Sequence, residues 1–276
     1  MVFPPQGTFK NNTPVYLISA VFRNKQFMMQ YFGKWLFNLL PQFKQLFVQD
    51  IKSYELLKSK GLNNVVLSGD TRFDRVKQNA LNIKLNSTLE NFKKESIVLA
   101  LGSSWPLEEK MAFDYLISSE SSVKLLIAPH DISESHIQEL LKLFYQFKPI
   151  RYTQYKENGE SRVLILDTIG HLSSAYFYAD SAFIGGGFGK GLHNILEALA
   201  FGVPVYFGPE VQNYPEAKMA IDFEVAKILN NSSDLIQAQK ELLEHTDLER
   251  IKLKCTDFIQ VNSGASQKVL SAILSA

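Results

Sequence analysis

The sequence predicts an α/β protein in which parallel β-strands alternate with α-helices. Short apolar runs recur along the 276-residue chain, and a helical pattern follows most of them. The polar, weakly patterned segment 77–95 separates these runs into two groups. The chain is 46% hydrophobic and 21% charged, which is typical of a folded globular protein. We therefore expect two α/β domains.

Composition excludes several classes of protein. Cys255 is the only cysteine, which excludes a disulfide framework and fits a reducing cytoplasm. The start of the chain lacks the pattern of a signal peptide. One cysteine and five scattered histidines predict no metal site, and nothing indicates a cofactor. The chain has no aromatic–basic RNA motif, so we expect no nucleic acid partner.

Positive charge is concentrated at the start of the chain. Residues 1–60 hold eight Lys and Arg but only two acidic residues, whereas the net charge of the whole chain is +1. A basic part of this kind suits an anionic partner, either a phosphorylated substrate or a membrane surface. Lysines that are simply solvated on helix faces are the alternative.

The first group of runs predicts a β-α-β-α-β pattern. We expect strands at residues 14–20, 46–50 and 64–70, with a helix at residues 53–61 that Gly61 terminates. Such an order favours a parallel sheet with helices packed on its faces.

Residues 27–40 form an aromatic-rich segment within this first group. The segment is too short, and too often interrupted by polar residues, to be a transmembrane helix. We predict a helix here. It is either buried in the core or docked on a membrane or partner surface, with Arg23, Lys25 and Lys34 as anchors.

In the second group, the predicted strands end in small or polar residues. Strands are expected at residues 96–105, 123–131 and 161–170, with helices between them. Because ligands bind beyond the carboxyl ends of the strands in open α/β sheets, these ends predict a binding site.

The segment from Ala182 to Pro209 is the centre of that predicted site. It combines a buried strand, a glycine-rich turn (GGFGKG), a helix (LHNILEALAFG) and a second buried strand. The glycines allow close approach of backbone, and a helix N-terminus attracts anions. His193, Asn194 and Glu197 are expected on one face of the helix. The pattern predicts a nucleotide-phosphate site, with an ordinary β-loop-α unit as the alternative; phosphate-loop, GxGxxG and GxSxG motifs are absent.

With these residues in place, the sequence resembles the 3-deoxy-D-manno-octulosonic acid (Kdo) transferase family. The combination of GDTRFDRV with GLHNILEALAFGVPV is the most specific part of the resemblance. The matching segments follow the family order over nearly the whole chain: PVYLISAVFR, FVQD, VVLSGDTRFDRV, LGSSWPLEE, LIAPHD, ILDTIGHLSSAYFYADSAFIGGGFGKGLHNILEALAFGVPVYFGP and GAS.

The resemblance implies a glycosyltransferase-B fold with two Rossmann-like domains. Residues 1–85 would be the C-terminal part of the acceptor-side domain, which is then incomplete. Residues 86–276 would be the donor-binding domain with its C-terminal helices. Family members carry a further segment before the first strand, with a membrane anchor and the glutamate regarded as the general base. Compared with them, this chain is expected to lack the catalytic base. It is expected to bind the nucleotide-sugar donor better than it transfers the sugar.

The resemblance also implies a function. The family moves Kdo from CMP-Kdo to a lipid A precursor, with inversion, in lipopolysaccharide biosynthesis at the cytoplasmic face of the inner membrane of Gram-negative bacteria. A peripheral membrane contact of this chain would fit that location. The alternatives are a non-catalytic CMP-sugar-binding fragment, or another nucleotide-sugar enzyme such as a UDP-sugar transferase or a 2-epimerase.

Roles in phosphate binding follow from the resemblance by position. The segment Gly102–Ser104 and the turn at Gly186–Gly187 would approach the CMP phosphate, and His130 would lie against phosphate or sugar. The family often has arginine before this histidine, whereas this chain has Ala128–Pro129. Lys190 is therefore a candidate for neutralising the phosphate.

The remaining implied roles concern the nucleoside. The backbone of Ile169–Gly170 would contact the cytosine, and Asn194 with Glu197 would hold phosphate and ribose. A carboxylate suits a ribose because it only accepts hydrogen bonds and the two hydroxyls donate them. The complete set of expected donor-binding residues is Gly102, Ser103, Ser104, Pro129, His130, Thr168, Ile169, Gly170, Gly186, Gly187, Lys190, His193, Asn194 and Glu197.

Overall fold

A computed structural model describes residues 13–156, 160–245 and 248–275. Lys10, one of the basic residues counted above, lies outside this part of the chain. The strands of the described residues are β1 (Tyr16–Ala20), β2 (Gln45–Val48), β3 (Val65–Leu67), β4 (Ile97–Ser104), β5 (Val123–Pro129), β6 (Ile150–Arg151), β7 (Val163–Ile165), β8 (Ser181–Ile184), β9 (Val205–Phe207) and β10 (Ala226–Ile228). The helices are α1 (Lys34–Phe37), α2 (Ile51–Ser59), α3 (Thr71–Leu81), α4 (Ser87–Lys93), α5 (Pro106–Ser118), α6 (Glu134–Leu143), α7 (Leu172–Ala175), α8 (Leu196–Ala200), α9 (Pro215–Asp222), α10 (Ser232–His245), α11 (Leu248–Asn262) and α12 (Ala265–Leu274).

The chain folds into two compact units, each with a parallel sheet. The first unit comprises the described residues up to Lys77 together with those from Gln260 onward, and its sheet has the order β1-β2-β3. The second unit comprises Gln78–Ile259, and its sheet has the order β10-β9-β8-β4-β5-β7-β6. The predicted α/β class and parallel pairing are confirmed.

The last residues of the chain group with the first unit, although the sequence-based boundary at residue 85 had placed them in the second domain. The carboxylate of Asp74, in α3, accepts hydrogen bonds from the backbone N–H groups of Gly264 (2.6 Å) and Ser266 (2.7 Å), at the start of α12. Burial opposes ionisation, but these bonds keep the pKa of Asp74 below its ordinary value. The GDTRFDRV and GAS segments therefore meet in space. The assignment of donor and acceptor roles to the two domains stays a prediction.

The single helix predicted over residues 27–40 is wrong. This segment forms 3-10 turns at Phe27–Met29 and Tyr31–Gly33, followed by the four-residue α1. The chain folds back tightly here, because a Cβ atom at Gly33 would lie 1.9 Å from the carbonyl oxygen of Phe27. Met28 and Leu40 are buried in the core of the first unit.

The core of the second unit lies on the faces of the seven-stranded sheet. Fully buried side chains of the central strands, such as Leu101 and Ile127, pack against α5, α6 and α10 through residues such as Leu116, Leu140 and Leu235. This core holds the central strands in register, so their carboxyl ends form a fixed edge. None of the helices within the described residues is both long and apolar enough to cross a membrane.

Candidate donor-binding site

The carboxyl ends of β4, β5, β7 and β8 lie next to one another, because these strands are neighbours in the parallel sheet. Backbone hydrogen bonds join the segments that follow them. The N–H of His130 donates to the carbonyl of Ser104 (2.9 Å), and that of Gly185 donates to the carbonyl of Gly102 (2.9 Å). The fold therefore brings the predicted strand-end residues to one edge of the sheet.

Ser103 distorts the end of β4. Its φ angle is +52°, a left-handed conformation that costs a non-glycine residue about 1–2 kcal/mol, and the pairing of β4 with β5 shifts between Gly102 and Ser104. Ser104 is buried, and its hydroxyl donates to the carboxylate of Glu109 (2.9 Å). The hydroxyl of Ser104 thus already has a protein partner, whereas Ser103 is only half-buried at the strained position.

The glycine-rich turn is packed against backbone on several sides. A Cβ atom would lie 2.1 Å from the carbonyl oxygen of Ser103 if placed at Gly185, and 2.5 Å from the amide nitrogen of Gly208 if placed at Gly187. Gly186 has a φ angle of +89°, and its N–H donates to the carboxylate of Glu108 (2.8 Å). Close packing of the chain on itself therefore requires these glycines. Their predicted contact with phosphate is a separate property that stays a prediction.

The helix after the turn is shorter than predicted. It begins at Leu196, so His193 and Asn194 lie in the irregular segment before it, and the expected helix face that includes them is wrong. The physical reason is local: the side-chain oxygen of Asn194 accepts the backbone N–H of Leu196 (3.2 Å), which favours a turn rather than another helical residue. The amide group of Asn194 still donates to the carboxylate of Glu197 (2.9 Å). Asn194 and Glu197 are therefore paired, as their spacing suggested.

An aromatic and basic cluster stands over the ends of β4, β5 and β8. The rings of Trp105 and His130 are stacked, with centroids 4.3 Å apart, and the ring of His193 lies 4.9 Å from that of His130. The ammonium group of Lys190 lies 5.3 Å from the centroid of the indole ring. Burial, and then the neighbouring His130, lower the pKa of His193. His193 is therefore held towards its neutral form.

Three buried polar atoms at this edge have no hydrogen-bond partner within the described part of the chain. They are Nε1 of Trp105, Oγ1 of Thr168 and Nε2 of His193. A buried polar atom without a partner costs about 1–3 kcal/mol, and most such atoms in native proteins find one. Polar atoms left in this state after β4, β7 and β8, on one edge of the sheet, indicate a ligand-binding edge.

The remaining predicted residues differ in exposure. Pro129 is buried at the end of β5. Ile169 is 86% exposed, and Gly170 beside it has a φ angle of +95° with open space around it. Ile169 and Gly170 therefore project from the end of β7, whereas Thr168 is turned inward.

Two residues of the site, Trp105 and Glu108, were missed by the sequence-based prediction. The buried carboxylate of Glu108 accepts the N–H groups of Gly186 and of Trp105 (3.2 Å). Burial raises the pKa of Glu108 against the effect of these hydrogen bonds. The signal in the sequence was Glu108 at the third position of α5, where a glutamate carboxylate accepts the backbone N–H of the N-cap residue, here Trp105.

A cavity of about 420 Å³ lies elsewhere, at the amino ends of β9 and β10. The ion pairs Lys227–Glu241 (2.5 Å) and Lys254–Glu224 join charged residues of its lining. Strand-end residues of the candidate site do not line it, so it is a separate feature.

Comparisons with known proteins identify relatives of the chain. No protein-family profile matches the sequence. A 3-deoxy-D-manno-octulosonic acid transferase from Aquifex aeolicus is 29% identical over 74% of this chain and 55% of its own length. Proteins of the same name are 27% identical in Haemophilus influenzae, over 75% of this chain and 50% of that protein, and 24% identical in Rickettsia prowazekii, over 94% and 57%. This chain is a relative of the Kdo transferases. It spans about half the length of the curated Kdo transferases that it matches.

Solved structures agree with the predicted fold. The C-terminal CMP-Kdo binding domain of WaaA from Acinetobacter baumannii aligns with 67% of this chain and 98% of that domain, with a TM-score of 0.56 and 19% identity. A UDP-GlcNAc 2-epimerase from Neisseria meningitidis aligns with 97% of this chain and 71% of that protein, with a TM-score of 0.69 and 15% identity. The two parallel sheets and these neighbours confirm the glycosyltransferase-B-like class.

Proposed function

We propose that the second unit binds CMP-Kdo, and that the chain is the donor-binding part of an enzyme that transfers Kdo to a lipid A precursor with inversion. The observation that carries the proposal is the set of buried atoms of Trp105, Thr168 and His193 that lack a partner among the described residues, at one edge of the sheet, together with the ammonium group of Lys190 over the indole ring. A nucleotide with an anionic phosphate supplies acceptors for such donors. The Kdo transferase relatives support the choice of CMP-Kdo among nucleotide sugars.

Several of the predicted residues have a role in this proposal. Glu197 is half-buried, and one of its oxygens accepts the amide of Asn194, which leaves the other for the ribose hydroxyls. Thr168 and the projecting Ile169–Gly170 segment would contact the cytosine. Lys190 would neutralise the phosphate. We assign donor binding to these residues, and we assign the general base of transfer to none of them.

Replacing Glu197 with alanine should weaken CMP binding by about 10- to 100-fold, because a hydrogen bond to a charged group contributes about 1.5–3 kcal/mol. Calorimetric titration of the purified chain with CMP, UMP and UDP would measure this. Glu120→Ala is a matched control, because it removes an exposed carboxylate just before β5, at the opposite edge of the sheet. We expect that control to bind CMP as the parent chain does.

Other outcomes of the same titration separate the alternatives. Tighter binding of UMP or UDP than of CMP would contradict the Kdo assignment and favour a UDP-sugar transferase or a 2-epimerase. A folded chain that binds none of these nucleotides would contradict the donor site altogether. Transfer to a lipid A precursor by this chain alone would eliminate the non-catalytic alternative.

We also propose that the first unit contacts an anionic membrane surface, as the proposed location at the cytoplasmic face of the inner membrane requires. Phe27, Tyr31 and Trp35 are 56%, 87% and 61% exposed. Lys25 and Lys34, which are also exposed, lie next to them in the chain. Aromatic side chains favour the membrane interface, and each nearby basic residue adds about 1 kcal/mol of attraction to anionic lipid.

Trp35→Ala should lower binding to vesicles that contain phosphatidylglycerol by about 10-fold, because burial of an aromatic side chain is lost. Cosedimentation of the chain with such vesicles would measure the effect. Tyr145→Ala, which removes an exposed aromatic residue of the second unit, is the control and should bind as the parent chain does. Equal binding of Trp35→Ala and parent, or equal binding to vesicles without anionic lipid, would contradict the proposed contact.

A further inference from the structure

Trp105 is held in place from two directions at the end of β4. Its backbone N–H donates to the carboxylate of Glu108 (3.2 Å), and its extended backbone forms the N-cap of α5. Its ring is stacked on that of His130, with an angle of 19° between the planes. An aromatic ring fixed in this way presents its polar edge in a defined direction.

The polar edge of this ring is unused. The indole Nε1–H can only donate, and it is buried with no acceptor within the described residues. His130 and Lys190 both lie over the ring, which leaves the edge rather than the face for a ligand.

The ammonium group over the ring also lacks an anion. Lys190 is exposed, and it has no carboxylate within 4.0 Å among the residues that the structure describes. It lies between Gly189 and Gly191, which have φ angles of +99° and +92°. Lys190 therefore lies in a turn flanked by two glycines with positive φ angles. A cation over the face of an indole is attracted electrostatically to the ring. The indole therefore holds the ammonium group of Lys190 over its ring.

The indole N–H and the ammonium group over the same ring, both without an acceptor among the described residues, are complementary to one anionic oxygen. We propose that Trp105 is a further donor-binding residue. Its indole N–H donates to a non-bridging phosphate oxygen of the nucleotide, and its ring positions Lys190 against the same charge. This inference rests on the proposed CMP-sugar site, and it assigns the recognition of the phosphate within that site.

The test uses the two tryptophans of the chain. In a Trp35→Phe background, Trp105 is the sole source of tryptophan emission. CMP should change that emission, whereas cytidine, which has no phosphate, should change it much less. Calorimetry of the same protein gives the affinity of both ligands independently.

Trp105→Phe keeps a ring but removes the N–H group. We expect its affinity for CMP to fall by about 10-fold, because a hydrogen bond to a charged group is lost, with its affinity for cytidine unchanged. Lys190→Met, at an exposed position, should show the same selective loss. It also provides the test if Trp105→Phe fails to fold.

Three outcomes would overturn the inference. Equal losses of CMP and cytidine affinity in Trp105→Phe would show a structural role for the ring. Calorimetric binding of CMP with unchanged Trp105 emission and unchanged affinity in both variants would refute the phosphate contact and leave the proposed function standing. Failure of the folded parent chain to bind CMP would refute the proposed function itself, and this inference with it.

Discussion

Gly185→Ala should destabilise the second unit by at least about 3 kcal/mol and lower its Tm by about 10 °C or more. The added Cβ atom would lie 2.1 Å from the carbonyl oxygen of Ser103 and 2.9 Å from the Cα atom of Ser104. Those atoms belong to the backbone of β4, which is hydrogen-bonded to strands on both sides and has no room to move. Thermal unfolding followed by circular dichroism would measure the effect.

Gly170→Ala is the matched control for this prediction. Gly170 has a φ angle of +95° but nothing within 4 Å of an added Cβ atom, so only the backbone conformation is penalised. We expect a loss of about 1–2 kcal/mol for it. If Gly185→Ala is no less stable than Gly170→Ala, close packing does not explain the glycine-rich turn.

Glu108→Gln should destabilise the chain by about 2–3 kcal/mol near pH 4–5. Each oxygen of the Glu108 carboxyl group accepts one N–H group, from Gly186 and from Trp105, and the protonated carboxyl group keeps acceptor capacity on both oxygens. An amide side chain can accept only one of them, and its NH₂ group then faces the other N–H. The glycine-rich turn and the start of α5 would lose their shared partner. Chemical denaturation at several pH values would measure the loss.

The pH dependence of this variant has a definite sign. Burial raises the pKa of Glu108 above its ordinary value of 4.5. A raised pKa gives stability that is fully present below the unfolded pKa and is lost as the pH rises through the folded one. The destabilisation by Glu108→Gln should therefore shrink as the pH rises above the ordinary carboxyl value of 4.5. Glu120→Gln, at an exposed position, should change the free energy of unfolding little at any pH. A destabilisation by Glu108→Gln that grows as the pH rises would contradict this prediction.

The sequence indicated the strand ends of the site better than the contacts within it. Apolar runs ending in small or polar residues predicted the strands that carry His130 and Thr168, because a buried parallel strand needs a continuous apolar run. The partner of Glu108 lies 78 residues away in Gly186. No local pattern shows such a pair, so its role was missed.

The sequence also did not predict where the helices begin and end. The single helix predicted over residues 27–40 and the long helix predicted after the glycine-rich turn both relied on apolar periodicity. In the structure, the tight approach at Gly33 and the side-chain bond of Asn194 to Leu196 replace those helical turns. Periodicity describes which side chains become buried, whereas these local contacts decide where helices begin and end.

By itself, the sequence determined the parallel α/β class, the order of the strands along the chain and the relation to Kdo transferases, because these depend on patterns and segments that are local in the chain. Only the tertiary structure decided that Trp105, His130, His193 and Lys190 form one cluster and that Glu108 binds the glycine-rich turn. These groups come from different strand ends, and the parallel sheet alone makes them neighbours. It also showed which polar atoms remain buried without a partner in the part of the chain that the structure describes, since burial depends on every element that packs around an atom.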